Sequence, residues 1–149
     1  MLKKKNVIFI IVGVVVLAMA VYYISTRVYS ICGNKIVSVN INNHTLHVET
    51  VLSDEKLRKG LGGRGGMCVS CGMLFEFPKA GKYSFWMKDM RFPLDLVWIL
   101  QGRVVHIEKN VQPDFIGILT PPGLADRVLE LNAGSVDKFG IKIGDIVIF

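Results

Sequence analysis

Two cysteines three positions apart, Cys68 and Cys71, are the first residues of this 149-residue chain whose type and spacing could do chemistry. Thioredoxin-like redox work needs the first thiolate at a helix N-terminus, where the dipole lowers its pKa. Here Gly72 and a strand-like run, Met73 to Phe77, follow instead. A metal site needs further ligands, and Cys32, His44, His47 and His106 show no finger spacing around the pair. The pattern favours a disulfide stapling a glycine-rich loop in an oxidising compartment, with two reduced, idle thiols as the alternative. Cys32 is then left over. No metal site and no cofactor is expected.

The second group is aromatic and charged. In Phe85-Trp86-Met87-Lys88, strand alternation puts Phe85 and Met87 on one face and Trp86 and Lys88 on the other. One face must be core. The other could be a ligand platform, since a Trp face beside hydrogen-bonding charges suits sugars or cations, or a Trp lid across a barrel end. Asp95 and Glu130 each sit in an otherwise apolar run, so each must pair, be hydrogen-bonded or shift its pKa upward. Arg58, Arg64 and Lys88 are candidate partners for Asp95. The two carboxylates could also form a glycosidase-like acid/base pair, although structural ion pairs are commoner. Gly60, Gly62 and Gly65 match G-x-G-x-x-G, but a helix precedes and loop follows, the reverse of a dinucleotide site. There is no Ser-His-Asp order.

The elements that must position these residues are mostly short strands. Ile36 to Ile41 and His44 to Leu52 alternate around Asn42-Asn43 and read as a hairpin. Ser53 can cap a short helix over Asp54 to Lys59, with acids first, cations last and Gly60 as the stop. Residues 60–72 hold six glycines and read as loop. Met73 to Phe77, Lys82 to Lys88, Leu94 to Leu100, Arg103 to Lys109, Arg127 to Asn132 and Asp145 to Phe149 read as strands. The third of these is apolar enough to be central. Ser135 can cap one helical turn. The fold class expected is mainly β, a compact sandwich or barrel-like domain with one or two short helices.

The front end sets the expected compartment. Val7 to Ile24 is eighteen residues without a charge, about 27 Å as a helix against a bilayer core of about 30 Å. Lys3, Lys4 and Lys5 precede it and Arg27 follows. The positive-inside rule makes residues 1–6 a cytoplasmic basic tail, 7–24 a transmembrane anchor, 25–35 a stalk and 36–149 a single domain outside the cytoplasm. Ala18-Met19-Ala20 leaves a cleaved signal peptide as the alternative. Four of the eighteen cations lie before residue 28 and all twelve anions after it, so residues 28–149 carry a net charge of only +2. That argues against nucleic acid as a partner.

Five ordered motifs then carry a resemblance. They are Arg58, Gly60, Leu61 and Arg64; Gly72 to Phe75; Phe85 to Asp89 with Pro93 to Asp95; Val128 to Gly134; and Gly140-Ile141 with Gly144-Asp145. The series resembles the prokaryotic family named domain of unknown function 192, over roughly Ile36 to Phe149. The resemblance implies one compact, mainly β domain, often behind a signal or anchor segment, and no established activity. Gly63 departs from the family's usual Met near Arg64, and Cys68 and Cys71 are additions to its pattern. The expectation is therefore a membrane-anchored, extracytoplasmic domain binding a small polar ligand, a saccharide or an envelope component through Arg64, Trp86, Lys88, Asp95 and Glu130. The alternatives are a hydrolase using Asp95 and Glu130, and a structural or assembly partner.

Overall fold

The computed structural model describes residues 13–16, 19 and 33–149. The basic tail, most of segment 7–24 and the stalk up to Cys32 lie outside the described residues. Among those described, no helix is long and apolar enough to cross a membrane. The chain divides into two units, Met1–Lys35 and Ile36–Phe149, and the second carries the fold.

Strands β1 (Lys35–Ile41) and β2 (His44–Val51) form the expected hairpin. Its turn residues Asn42 and Asn43 have φ of 47° and 63°, the left-handed geometry that Asn tolerates. Helix α1 (Asp54–Lys59) follows. Ser53 occupies its N-cap, but only the Ser53 carbonyl bonds the helix, accepting from Leu57 N–H at 2.8 Å. Strand β3 (Cys71–Gly81) then runs parallel to β2, with Val48 opposite Gly72 and Val51 opposite Phe75. Parallel neighbours need a crossover; α1 and the glycine-rich loop provide it, with Leu57 and Leu61 packed beneath. Strands β4 (Leu94–Leu100), β5 (Arg103–Val111) and β6 (Ala125–Asn132) are antiparallel, followed by α2 (Ser135–Lys138) and β7 (Val147–Ile148).

The strand order β5-β4-β6-β3-β2-β1-β7 makes one seven-stranded mixed sheet, a half-barrel; of the expected sandwich or barrel-like domain, the barrel-like form is the nearer. The sheet curls. The chain just before and within β7 bonds back to the β4–β5 turn and the start of β5, through Val147 N–H to the Gly102 carbonyl and Gly144 N–H to the Val104 carbonyl, both 2.8 Å. Each face has its own apolar cluster. One holds Leu46, Val48, Val97, Leu129 and Leu131 under α2; the other holds Met73, Phe75, Leu96, Trp98 and Val128 under α1. Strand β4 is buried almost throughout, as its run of apolar residues, interrupted only by Asp95, predicts. Gly72 lets β3 and β6 approach: a Cβ there would lie 2.7 Å from the Glu130 carbonyl oxygen.

Three expectations are corrected. Lys82 to Lys88 is not a strand; only Phe85 pairs, with Leu119. The alternation of burial still holds, with Met87 buried and Trp86 half exposed. Gly134, with φ of 83°, is the N-cap of α2, and Ser135 lies inside the helix. The final strand is two residues long.

Candidate functional site

Two buried carboxylates face each other's neighbours but not each other. In the register of β4 with β6, Asp95 lies opposite Leu131 and Leu96 opposite Glu130. Cross-strand partners share a face and successive residues alternate, so Asp95 and Glu130 point to opposite sides of the sheet. They cannot flank one scissile bond, and the paired-carboxylate hydrolase expected as an alternative has no site. Asp95 is also not paired with Arg58, Arg64 or Lys88. Its Oδ1 accepts from Asn110 N–H and its Oδ2 from Val136 N–H, both at 2.8 Å. The second bond satisfies an amide at the start of α2 that would otherwise have no acceptor. Asp95 belongs to the scaffold.

Glu130 meets the opposite circumstances. Register places Glu49, Met73, Glu130 and Leu96 in one row across β2, β3, β6 and β4. Glu130 is 5% exposed, and its Oε2 has no hydrogen-bond partner. Burial pushes its carboxyl up to about 8, and the Arg64 guanidinium only partly offsets this. Arg64 is engaged elsewhere: it grips Glu49 through both terminal guanidinium nitrogens, Nη1 and Nη2, at 2.6 and 2.9 Å. Glu130 is thus a neutral acid at pH 7, able to donate one O–H to whatever lies beside it.

Beside it is a cleft of about 170 Å³. Its floor is Glu130 with Phe75. Gly60 closes one side, and a Cβ there would stand 3.4 Å from the Phe75 ring and 3.9 Å from Glu130 Oε2. An aromatic wall rises from the sheet. Buried Trp98 donates its indole N–H to the Tyr83 carbonyl at 2.9 Å. Phe85 meets the rings of both Phe75 and Trp98 edge-on, and Tyr83 stacks on Phe77 with centroids 3.5 Å apart. The mouth carries Arg58, Lys59 and Lys88, with Trp86 51% exposed beside them. A shallower shelf continues from Arg58, Lys59 and Lys88 to Arg91, with Asp89 as its one acid.

Of the expected site residues, Trp86, Lys88 and Glu130 therefore surround one cleft. Arg64 sits behind its floor, and Asp95 is elsewhere. Lys59, Arg91, Tyr83 and Phe77 were not foreseen as site residues. Lys59 had read as a charge complementing the helix dipole at the end of α1, and its position before Gly60 is what aims it at the cleft.

Cys68 and Cys71 form a disulfide at the mouth of β3. Asn132 Nδ2 donates to the Cys68 carbonyl at 2.9 Å, and Gly63 N–H donates to the Asp89 carbonyl at 2.9 Å. These bonds fasten the glycine-rich loop to the site. Among the described residues, no group of three or more His, Cys, Asp or Glu is placed to hold a metal ion.

Comparison with known proteins gives a consistent result. A family profile, DUF192, described as Uncharacterized ACR, matches residues 36–149. A crystal structure of a protein of unknown function from Novosphingobium aromaticivorans is similar at 30% identity and a TM-score of 0.77, covering 82% of this chain and 91% of that one. A Sinorhizobium meliloti protein described as a candidate transcription regulator is similar at 30% identity and a TM-score of 0.75, covering 77% and 94%. No curated protein matches.

Proposed function

The chain belongs to the DUF192 family, and from its own cleft we propose that residues 36–149 bind a small organic anion, held outside the cytoplasm by a membrane anchor over residues 7–24. The observation that carries the reading is the unpartnered Oε2 of Glu130 on the floor of the cleft. A buried polar atom without a partner costs about 1–3 kcal/mol, and a ligand that accepts its hydrogen bond recovers that cost. Pockets for drug-sized ligands run to about 300–1,000 Å³, so this smaller cleft suits a single ring or a few linked atoms. The aromatic wall favours a flat apolar body. Arg58, Lys59 and Lys88 favour an anionic group at the mouth. The basic residues 3–5, the uncharged run and the lone Arg27 support the anchor.

The test uses 4-hydroxybenzoate as a probe, with its uncharged methyl ester as control, in calorimetric titrations. The acid is expected to bind about tenfold or more tightly than the ester, and Glu130→Ala and Lys88→Ala each to weaken it about tenfold, the scale of one hydrogen bond to a charged or buried partner. Equal binding of acid and ester, or binding indifferent to both substitutions, would overturn the reading. For the anchor, a reporter fused after Phe149 is expected to be active only outside the cytoplasm.

A further inference from the structure

The connection between β5 and β6, residues 112–124, is held in place at its base. Phe85 and Leu119 exchange both backbone hydrogen bonds, at 2.9 and 2.8 Å, and the hydroxyls of Ser84 and Thr120 bond at 2.8 Å. Within the loop, Phe115 N–H donates to the Gln112 carbonyl at 3.1 Å. Yet the tip of this pinned loop holds its largest apolar side chains in water: Phe115 is 40% exposed, Ile116 99% and Ile118 66%. A groove separates Phe115 and Ile116 from Trp86 and Lys88. On the far side of Trp86 lies the cationic shelf with Arg58, Lys59 and Arg91. The acids among these surfaces are Asp89 and Asp114, so four cations outnumber two anions.

We propose that this tip is the surface by which the domain docks onto an anionic lipid bilayer. Phe115, Ile116 and Ile118 enter the boundary between headgroups and acyl chains. Trp86 lies at that boundary, where its ring is apolar and its N–H stays wet. Lys88 and Arg91 meet lipid phosphates, with Arg58 and Lys59 behind them. A projecting, almost wholly exposed Ile, beside a groove and shelf that together carry four cations against two acids, suits a deformable, negatively charged surface; a protein partner would need a socket matched to it. The tether has the reach. Residues 25–34 extend at most about 35 Å, so the domain stays within that distance of the membrane. This last argument rests on the anchor proposed above, and the experiment therefore removes the anchor so that the two can fail separately.

Residues 33–149 serve as the test protein. Both apolar clusters are built from residues inside this unit, and the family match spans residues 36–149, so the unit carries its own core and the whole of the family domain. It is mixed with phosphatidylcholine vesicles with and without phosphatidylglycerol, and flotation and quenching by brominated acyl chains are measured. Trp98 is fully buried, so quenching reports Trp86. Flotation is expected with the anionic vesicles, with Trp86 quenched. Ile116→Asp is expected to lower partitioning by about tenfold or more, the scale of withdrawing one large aliphatic side chain from an apolar phase. The double variant Lys88→Glu, Arg91→Glu is expected to bind anionic vesicles no better than neutral ones. An unchanged melting temperature for Ile116→Asp keeps the comparison clean, since that side chain touches solvent almost throughout. Absence of flotation, binding indifferent to Ile116→Asp, or self-association relieved by that substitution in the absence of lipid would each overturn the proposal. None of these touches the anchor, which is tested by the reporter fusion.

Discussion

Asp95 and Glu130 make a controlled comparison inside one sheet. They stand on neighbouring strands, one step out of register, and both are at least nine-tenths buried. On one face, α2 and the end of β5 bring two backbone amides to Asp95, and both oxygens are satisfied at 2.8 Å. On the other face, the sheet meets a helix that ends at Gly60 and an aromatic wall that stands clear, and Glu130 Oε2 has no partner. Burial of a carboxylate is therefore no sign of function in itself. What distinguishes the two sides is whether the fold supplies the missing hydrogen bonds. Where it does, the acid organises the chain; where it does not, the acid keeps an open oxygen, and the binding proposed above rests on that oxygen.

The difference can be sharpened or broken by substitution. The largest effect should be the pH dependence that Glu130 imposes. With a folded value of about 8 against an ordinary 4.5, the native state holds a proton that the unfolded chain releases. Stability should thus fall as pH rises from about 4.5 to about 8 and level off above, by at most about 5 kcal/mol at 1.36 kcal/mol per unit. Denaturant melts of residues 33–149 across that range should show the slope, and Glu130→Gln should flatten it; an equal slope in the variant would break the assignment. Next in size, Asp95→Ala strands two backbone amides and should cost about 2–4 kcal/mol at any pH in that range. A loss under about 0.5 kcal/mol would mean that Asp95 does not organise α2. Smallest should be reduction of the Cys68–Cys71 disulfide, whose ring is too short to constrain the unfolded chain by more than about 1–2 kcal/mol. Its effect should be local, as faster amide exchange between Gly62 and Gly72 with little change in melting temperature.

Much of the scaffold could be read from the residues. The run Leu94 to Leu100, apolar apart from Asp95, marks a central strand, Asn42-Asn43 marks a hairpin turn, and the charges of Asp54 to Lys59 mark a helix and its direction, because each signal is local. The parallel pairing of β2 with β3 was not legible, since it depends on how a helix and a glycine-rich loop return the chain across the sheet. That pairing makes one curled, half-barrel sheet, which favours the barrel-like form over the sandwich. Phe85 to Lys88 alternates in burial without being a strand, because Phe85 alone finds a backbone partner. For the site, Trp86, Lys88 and Glu130 were legible as chemistry out of place in its surroundings. Arg64 was legible as a charge but not as the partner of Glu49, which reaches it only through the crossover. Asp95 misled because amides from Asn110 and Val136, far off in sequence, leave no trace in the residues around it.

On the function proposed, Glu130 is a neutral acid open to a ligand while Asp95 is already complete. Carboxyl-detected NMR of residues 33–149 tests this most directly, because one sample reports both side chains through a pH titration with and without 4-hydroxybenzoate. The Glu130 carboxyl should titrate near 8 and shift on adding the probe, while the Asp95 carboxyl should not respond to it. A Glu130 carboxyl that titrates in the ordinary range near 4.5, or that ignores the probe while Asp95 answers to it, would rule out Glu130 as a neutral, ligand-binding acid.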